Sequence, residues 1–243
     1  KLRDLRSALE RGDVILVDVR GQWQGTRFVD LVPIPLVEGA MVSYPLLSGG
    51  LDTLVGGWDF DRSEVQRALA LRQTGSLIKP VFYSLAYDMG VPPSAHFSGE
   101  SFHEGEYNPT GDKATAGALL WDALAFSMNA MSLRVLRELK ERLPSKRGQA
   151  DLTRLRDWGK KLGLGRTLQG NPSEVLGADQ TPLDMARAMG VFAARGLPPS
   201  VPLIRKVSDV SGRILEEDMQ PVDPHANLGD AVRALWRTAI TPI

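Results

Sequence analysis

The chain has 243 residues, 43% of them hydrophobic and 24% charged, which excludes an intrinsically disordered protein. Its 29 basic and 29 acidic side chains cancel, so the net-basic footprint of a nucleic-acid-binding domain is absent at the level of the whole chain. The absence of cysteine excludes disulfides, Cys-ligated metal and thiol catalysis, and no apolar run reaches membrane-spanning length.

The chain opens on Lys1 with no signal-peptide pattern, and is expected to be an excised part of a longer protein. Leu2, Leu5 and Leu9 have helical spacing, Gly12 stops that helix, and Val14-Ile15-Leu16-Val17 reads as a strand before a Pro-rich connection. Residues 39–44 and 51–55 read as two strands joined by Ser48-Gly49-Gly50, a hairpin. Residues 64–71 read as a helix. Leu77, Ile78, Val81, Phe82, Leu85 and Met89 form one apolar helical stripe that stops at Gly90. A loop rich in Pro, Gly, Ser and His runs from Val91 to about Lys113. Helices are expected over 114–126, 133–143 and 152–162. Thr181 and Pro182 predict an N-cap and first turn for a helix reaching Ala194. Residues 203–210 and 213–217 around Gly212 read as a second hairpin, and residues 228–239 as a final helix. The order predicts an α+β domain whose sheet is built from both chain ends around a helical middle.

Two short patterns bear chemistry. Ser76 and Lys79, in Gly75-Ser76-Leu77-Ile78-Lys79-Pro80, share a face if the segment is helical. A serine hydroxyl becomes nucleophilic when a base takes its proton, and a lysine serves where burial or a neighbouring cation lowers its pKa. Backbone N–H groups at a helix start favour a developing oxyanion. Ser-x-x-Lys also arises roughly once by chance in a chain of this length, and its plain alternative is an N-cap serine with a solvated lysine. Ser127-Met128-Asn129 lies between two expected helices. Its hydroxyl could relay a proton and its carboxamide could hold a substrate amide, or both could be helix caps.

Taken together, the motifs resemble the transpeptidase domain of the class A, bifunctional penicillin-binding proteins. Gly56-Gly57-Trp58-Asp59-Phe60, Arg67-Ala68 and Arg72-Gln73-Thr74-Gly75-Ser76-Leu77-Ile78-Lys79-Pro80 follow that family's order. So do Tyr107-Asn108-Pro109, Ser127-Met128-Asn129 and the run from Leu176 through Thr181-Pro182-Leu183 to Ala186. Phe192 to Gly196, Ile204 and Asp209 to Gly212 match the stretch before the family's last active-site strand. The resemblance covers about Val37 to the end. It departs from the family at Thr74, where proline is usual, at Trp58, and in lacking a Lys-Thr-Gly run. Truncation before that motif is the expectation, because every upstream motif is intact.

The resemblance implies a penicillin-binding, serine β-lactamase-like transpeptidase fold over 37–243, preceded by a linker or small accessory β region over 1–36. It implies a D,D-transpeptidase that cross-links peptidoglycan stem peptides through a serine acyl-enzyme and is acylated by β-lactams. Ser76 is then the nucleophile, Lys79 the base, Ser127 a proton relay and Asn129 a substrate anchor. No metal or cofactor is implied. Stem peptides and β-lactam antibiotics are the expected partners, nucleic acid is not, and a glycosyltransferase domain and membrane anchor are expected upstream. The expected location is extracytoplasmic. The alternatives are a non-catalytic interaction or β-lactam-sensing module of the same fold, and a serine β-lactamase, for which no motif-placed glutamate is seen. A chain ending at Ile243 is expected to be inactive toward D-Ala-D-Ala peptides and poorly soluble. Lys79→Ala is expected to lose acylation with little loss of stability.

His96, His103 and His225 lack metal-ligand spacing and read as surface histidines. Arg134 to Arg166 holds eleven basic and four acidic residues and reads as a solvated helical face, with a partner or anionic-wall contact as the other reading. Trp121 and Trp158 are expected in the core.

Overall fold

The computed structural model describes residues 9–46, 50–98, 117–146, 149–198, 204 and 206–217. The expected helix over 2–9, apart from Leu9, the expected helix over 228–239, the Tyr107-Asn108-Pro109 motif, His103 and His225 lie outside these residues. The chain divides into two compact units, Lys1–Gly39 and Ala40–Ile243.

In the first unit, β1 (Val17–Trp23) and β2 (Thr26–Leu31) form an antiparallel hairpin. The strand expected over 14–17 thus lies later, and a second strand occupies part of the expected connection. Gln24 and Gly25 turn the chain with φ of +46° and +79°. Left-handed conformations at both central positions match the right-handed twist of the flanking strands. The signal was hidden because Gln stands where Asn or Asp would announce such a turn.

In the second unit, β3 (Met41–Ser43) and β4 (Thr53–Val55) pair as the expected hairpin, Met41 opposite Val55. The helix expected over 64–71 is only a 3-10 turn, Arg67–Leu69. The Gln66 side chain caps it by accepting from the Ala68 N–H, and Ala70 is already extended at ψ 138°. Two separated sequence motifs meet here. The Arg67 backbone and guanidinium both donate to the Gly56 carbonyl, and a side chain at Gly56 would collide with Gln66.

After β5 (Arg72–Gln73), a 3-10 turn over Gly75–Ile78 runs directly into α1 (Lys79–Asp88). Pro80 in the first turn sacrifices no hydrogen bond, since those N–H groups have no helical partner. Every residue from Val81 to Tyr87 is buried. A helix apolar on all sides belongs inside a protein, and α1 is the centre of the core. The short β6 (His96–Phe97) and β7 (Ala118–Leu119) pair ahead of α2 (Leu120–Ala125) and α3 (Asn129–Arg142). Then come β8 (Ser145–Lys146), β9 (Gln149–Ala150), α4 (Thr153–Lys161) and α5 (Glu174–Gly177). Helices α2, α3, α4 and α5 all pack on α1. Leu133, Leu136 and Leu139 of α3 and Leu155 and Trp158 of α4 fill the contact. Trp158 is buried as expected, whereas Trp121 is 41% exposed, so the expected core position does not hold for it.

β10 (Asp179–Gln180) pairs with β5, and α6 (Pro182–Ala193) follows. Thr181 caps α6 as the sequence predicts. Its hydroxyl accepts from the Asp184 N–H at 3.0 Å, and its own N–H donates back to Asp184 Oδ2 at 3.4 Å. β11 (Lys206–Ser208) and β12 (Ile214–Glu217) form the second expected hairpin. Among the described residues strands pair only two by two, so the pairing that would join the hairpins of the two chain ends into one sheet is not seen there.

Candidate active site

Ser76 sits in the 3-10 turn between β5 and α1, and is exposed. The turn is held from behind by the segment before α6. β5 pairs with β10, and Thr74 continues that pairing with two hydrogen bonds to the Ala178 carbonyl. The chain then reverses at Gly75, whose φ of +56° lies in the left-handed region open to glycine. Gly177 packs beside it. A Cβ there would lie 2.9 Å from Gln73 Cγ and 3.0 Å from the Gly75 nitrogen, so only a bare backbone permits this approach.

In a 3-10 turn the side chains at i and i+3 eclipse. Ser76 and Lys79 stand in that relation, and the Lys79 N–H donates to the Ser76 carbonyl. The turn therefore gives the two residues the shared face that their spacing predicts.

Lys79 is 1% exposed. Its Nζ lies 2.5 Å from the Ser127 carbonyl, 3.0 Å from Ser127 Oγ and 2.7 Å from Asn129 Oδ1. An isolated buried ammonium is costly, so a lysine this deep is kept only where oxygen atoms surround it. The plain alternative of a solvated lysine is thereby overturned. The capping alternative for Ser127 and Asn129 falls as well. The N-cap position of α3 is Met128, with no side-chain cap, while Asn129, the first residue of the helix, spends its carbonyl oxygen on Lys79. Ser127 has φ of +54°, a left-handed conformation rare for a residue with a Cβ. Such backbone persists only where its surroundings over-determine it, and it clusters at functional sites.

The structure thus brings Lys79, Ser127 and Asn129 together, with Ser76 on the adjoining turn. Sequence reasoning missed three contributors: Thr74, which reads only as a departure from a pattern; Gly177, whose role depends on contact with Gly75; and a buried Tyr83–Ser132 pair behind the lysine. Beside Leu77 lies an open cleft of ≈ 420 Å³ that also meets Thr74, Thr181, Pro182, Met185 and Met189. Among the described residues no group of His, Asp and Glu is arranged to hold a metal. His96 is exposed.

This α+β fold, with a serine turn feeding the central helix, is the penicillin-binding transpeptidase fold. It is shared with the crystal structure of penicillin-binding protein 1A from Haemophilus influenzae, with a TM-score of 0.65 and 26% identity over 84% of this chain and 30% of that one. The PonA1 protein of Mycobacterium tuberculosis in complex with penicillin V has the same fold, with a TM-score of 0.61 and 22% identity over 73% of this chain and 49% of that one. In sequence, the chain is 31% identical over 236 residues to penicillin-binding protein 1A of Neisseria flavescens, which covers 92% of this chain and 27% of that protein. No protein-family model matches. The chain is homologous over nearly all its length to class A penicillin-binding proteins, and spans about a quarter of the length of the curated relatives it matches.

Proposed function

We propose that this chain carries the acyl-transfer site of a D,D-transpeptidase that cross-links peptidoglycan stem peptides and is acylated by β-lactams. The observation that carries the proposal is the buried Lys79 amine held by Ser127 and Asn129 next to the Ser76 turn. Ser76 Oγ attacks the carbonyl carbon of the penultimate D-Ala while Lys79 Nζ takes its proton. The oxyanion that forms is met by the Ser76 backbone N–H at the turn. Collapse breaks the peptide bond, the leaving D-Ala amine takes a proton through Ser127, and an ester to Ser76 remains. The amine of a second stem peptide attacks that ester, forms the cross-link and returns the proton.

The hydrogen bonds around Lys79 are those such a base needs. A neutral lysine amine has two N–H donors and one lone pair. Nζ has three acceptors around it, the Ser127 carbonyl, Asn129 Oδ1 and Ser127 Oγ, which match the three N–H groups of the ammonium; in the neutral form that begins the reaction, its one lone pair is the group that takes the Ser76 proton. In this reading the amine passes that proton on to Ser127 Oγ, 3.0 Å away. Asn129 keeps its NH₂ group for a substrate carbonyl.

The peptidoglycan substrate places the site outside the cytoplasm, held there by an anchor elsewhere in the full protein. No helix among the described residues is long and apolar enough to cross a membrane. The test is labelling of the full-length protein with a fluorescent penicillin, followed by peptide mapping. Label on Ser76, and none in Ser76→Ala, is expected. Label retained in Ser76→Ala overturns the assignment.

A further inference from the structure

Behind the Lys79 cluster lies a second polar chain that the acyl-transfer steps do not use. Tyr83, one turn beyond Lys79 on α1, and Ser132, in the first turn of α3, are both 0% exposed. Ser132 Oγ donates to the Met128 carbonyl at 2.7 Å. A serine has one hydroxyl hydrogen, so the Tyr83 hydroxyl, 3.1 Å away, must be the donor to Ser132 Oγ. The Ser132 N–H also donates to the Met128 carbonyl, at 3.2 Å. That carbonyl is therefore held twice, and the chain of hydroxyls ends on the residue between Ser127 and Asn129.

The backbone just before that carbonyl is held by α2. The Ser127 N–H donates to the Leu124 carbonyl at 3.0 Å, and the Met128 N–H to the Ala123 carbonyl at 2.8 Å. Ser127 is thereby clamped in its left-handed conformation. The α2 bonds hold the Ser127–Met128 backbone against α2. Besides the long, flexible Lys79 side chain itself, which reaches Ser127 and Asn129 directly, the Tyr83–Ser132 chain ties this segment to the helix that carries Lys79.

We propose that Tyr83 and Ser132 are positioning residues, a buried hydroxyl relay from α1 to α3 that keeps Ser127 and Asn129 in register with Lys79. The inference rests on the acyl-transfer reading of the site. Neither residue touches substrate. A displacement of about 1 Å in such a constellation is enough to cost up to a hundredfold in rate.

The fold supplies its own control. Trp158 Nε1 donates to Ser84 Oγ at 2.9 Å, and Ser84 Oγ to the Val81 carbonyl at 2.9 Å. That pair is also buried and joins two helices, but it ends inside α1 and makes no hydrogen bond to the cluster. Stopped-flow acylation of the full-length protein by a fluorescent penicillin separates the non-covalent dissociation constant from the acylation rate constant. Tyr83→Phe and Ser132→Ala are expected to lower the rate constant tenfold to a hundredfold, on the scale of about 1 Å of misplacement, at an unchanged dissociation constant. Ser132→Thr, whose hydroxyl can bond the same carbonyl, is expected to restore most of the rate. Ser84→Ala is expected to lower the melting temperature while acylating at the wild-type rate. Wild-type rates in both Tyr83→Phe and Ser132→Ala, or an equal slowing in Ser84→Ala, would overturn the inference. Loss of label in Ser76→Ala shows in the same experiment that the acyl-transfer reading stands. Label retained there removes that reading instead, whatever the Tyr83 variant does.

Discussion

Thr74 donates twice to one atom: its backbone N–H and its hydroxyl both reach the Ala178 carbonyl, at 3.0 and 2.9 Å. Ala178 is buried, so water is a poor substitute for these bonds. The threonine that departs from the family's usual proline therefore fastens the nucleophile turn to the segment before α6. Proline has no N–H and could make neither bond.

The two bonds separate by substitution. Thr74→Val keeps the backbone bond and is expected to cost about 0.5–1.5 kcal/mol, the usual net worth of one hydrogen bond. Thr74→Pro suits the backbone, since φ is −76°, and gains about 0.4–1 kcal/mol through the unfolded chain. It also orphans a buried carbonyl at about 1–3 kcal/mol. Urea denaturation should rank the proteins as wild type, Thr74→Val, Thr74→Pro. A proline variant as stable as wild type would mean that the Ala178 carbonyl finds another donor.

Burial revises the stability expectation for Lys79. The spacing of Ser76 and Lys79 predicts a residue on a catalytic face whose removal barely affects the fold. The structure makes it one of the largest fully buried side chains, with oxygen atoms of Ser127 and Asn129 around its amine. Truncation leaves a cavity and unpaired acceptors together. Lys79→Ala is expected to abolish acylation and to destabilise by about 2–4 kcal/mol. Calorimetry on the unlabelled variant checks the second part, and an unchanged melting temperature would contradict it.

Tyr87 carries a pH signature independent of the site. Its hydroxyl is buried with no hydrogen-bond partner among the described residues, and burial raises its pKa from 10.0 to about 12. The folded state thus holds the proton more tightly than the unfolded state. The resulting stability is complete below pH 10 and is lost as pH rises toward about 12, at up to about 1.4 kcal/mol per pH unit. Tyr87→Phe should be neutral or slightly stabilising at pH 7, because it removes an unpaired polar group. It should also lose stability less steeply than wild type between pH 10 and 12. Parallel profiles would show that the hydroxyl is solvated in the native state.

The sequence by itself determined most of the helical middle, the two hairpins expected at 39–55 and 203–217, and the N-cap of α6. In each, local chemistry points one way: apolar spacing over Val81 to Leu85, Gly212 at a turn, and Thr181 followed by Pro182. It also determined which residues were candidates for chemistry, because Ser-x-x-Lys and Ser-x-Asn are short and stand in a family order. Tertiary structure alone decided whether those patterns were caps or a cluster. Lys79 and Asn129 are fifty positions apart, and either would serve as an ordinary surface residue in isolation. Packing α3 on α1 removes water from the Lys79 amine, and an amine without water takes the nearest oxygens. The 3-10 turn at Arg67, the exposure of Trp121 and the Tyr83–Ser132 chain escaped the sequence for the same reason. Each depends on what a neighbouring element covers or leaves open, and no spacing within one segment encodes that.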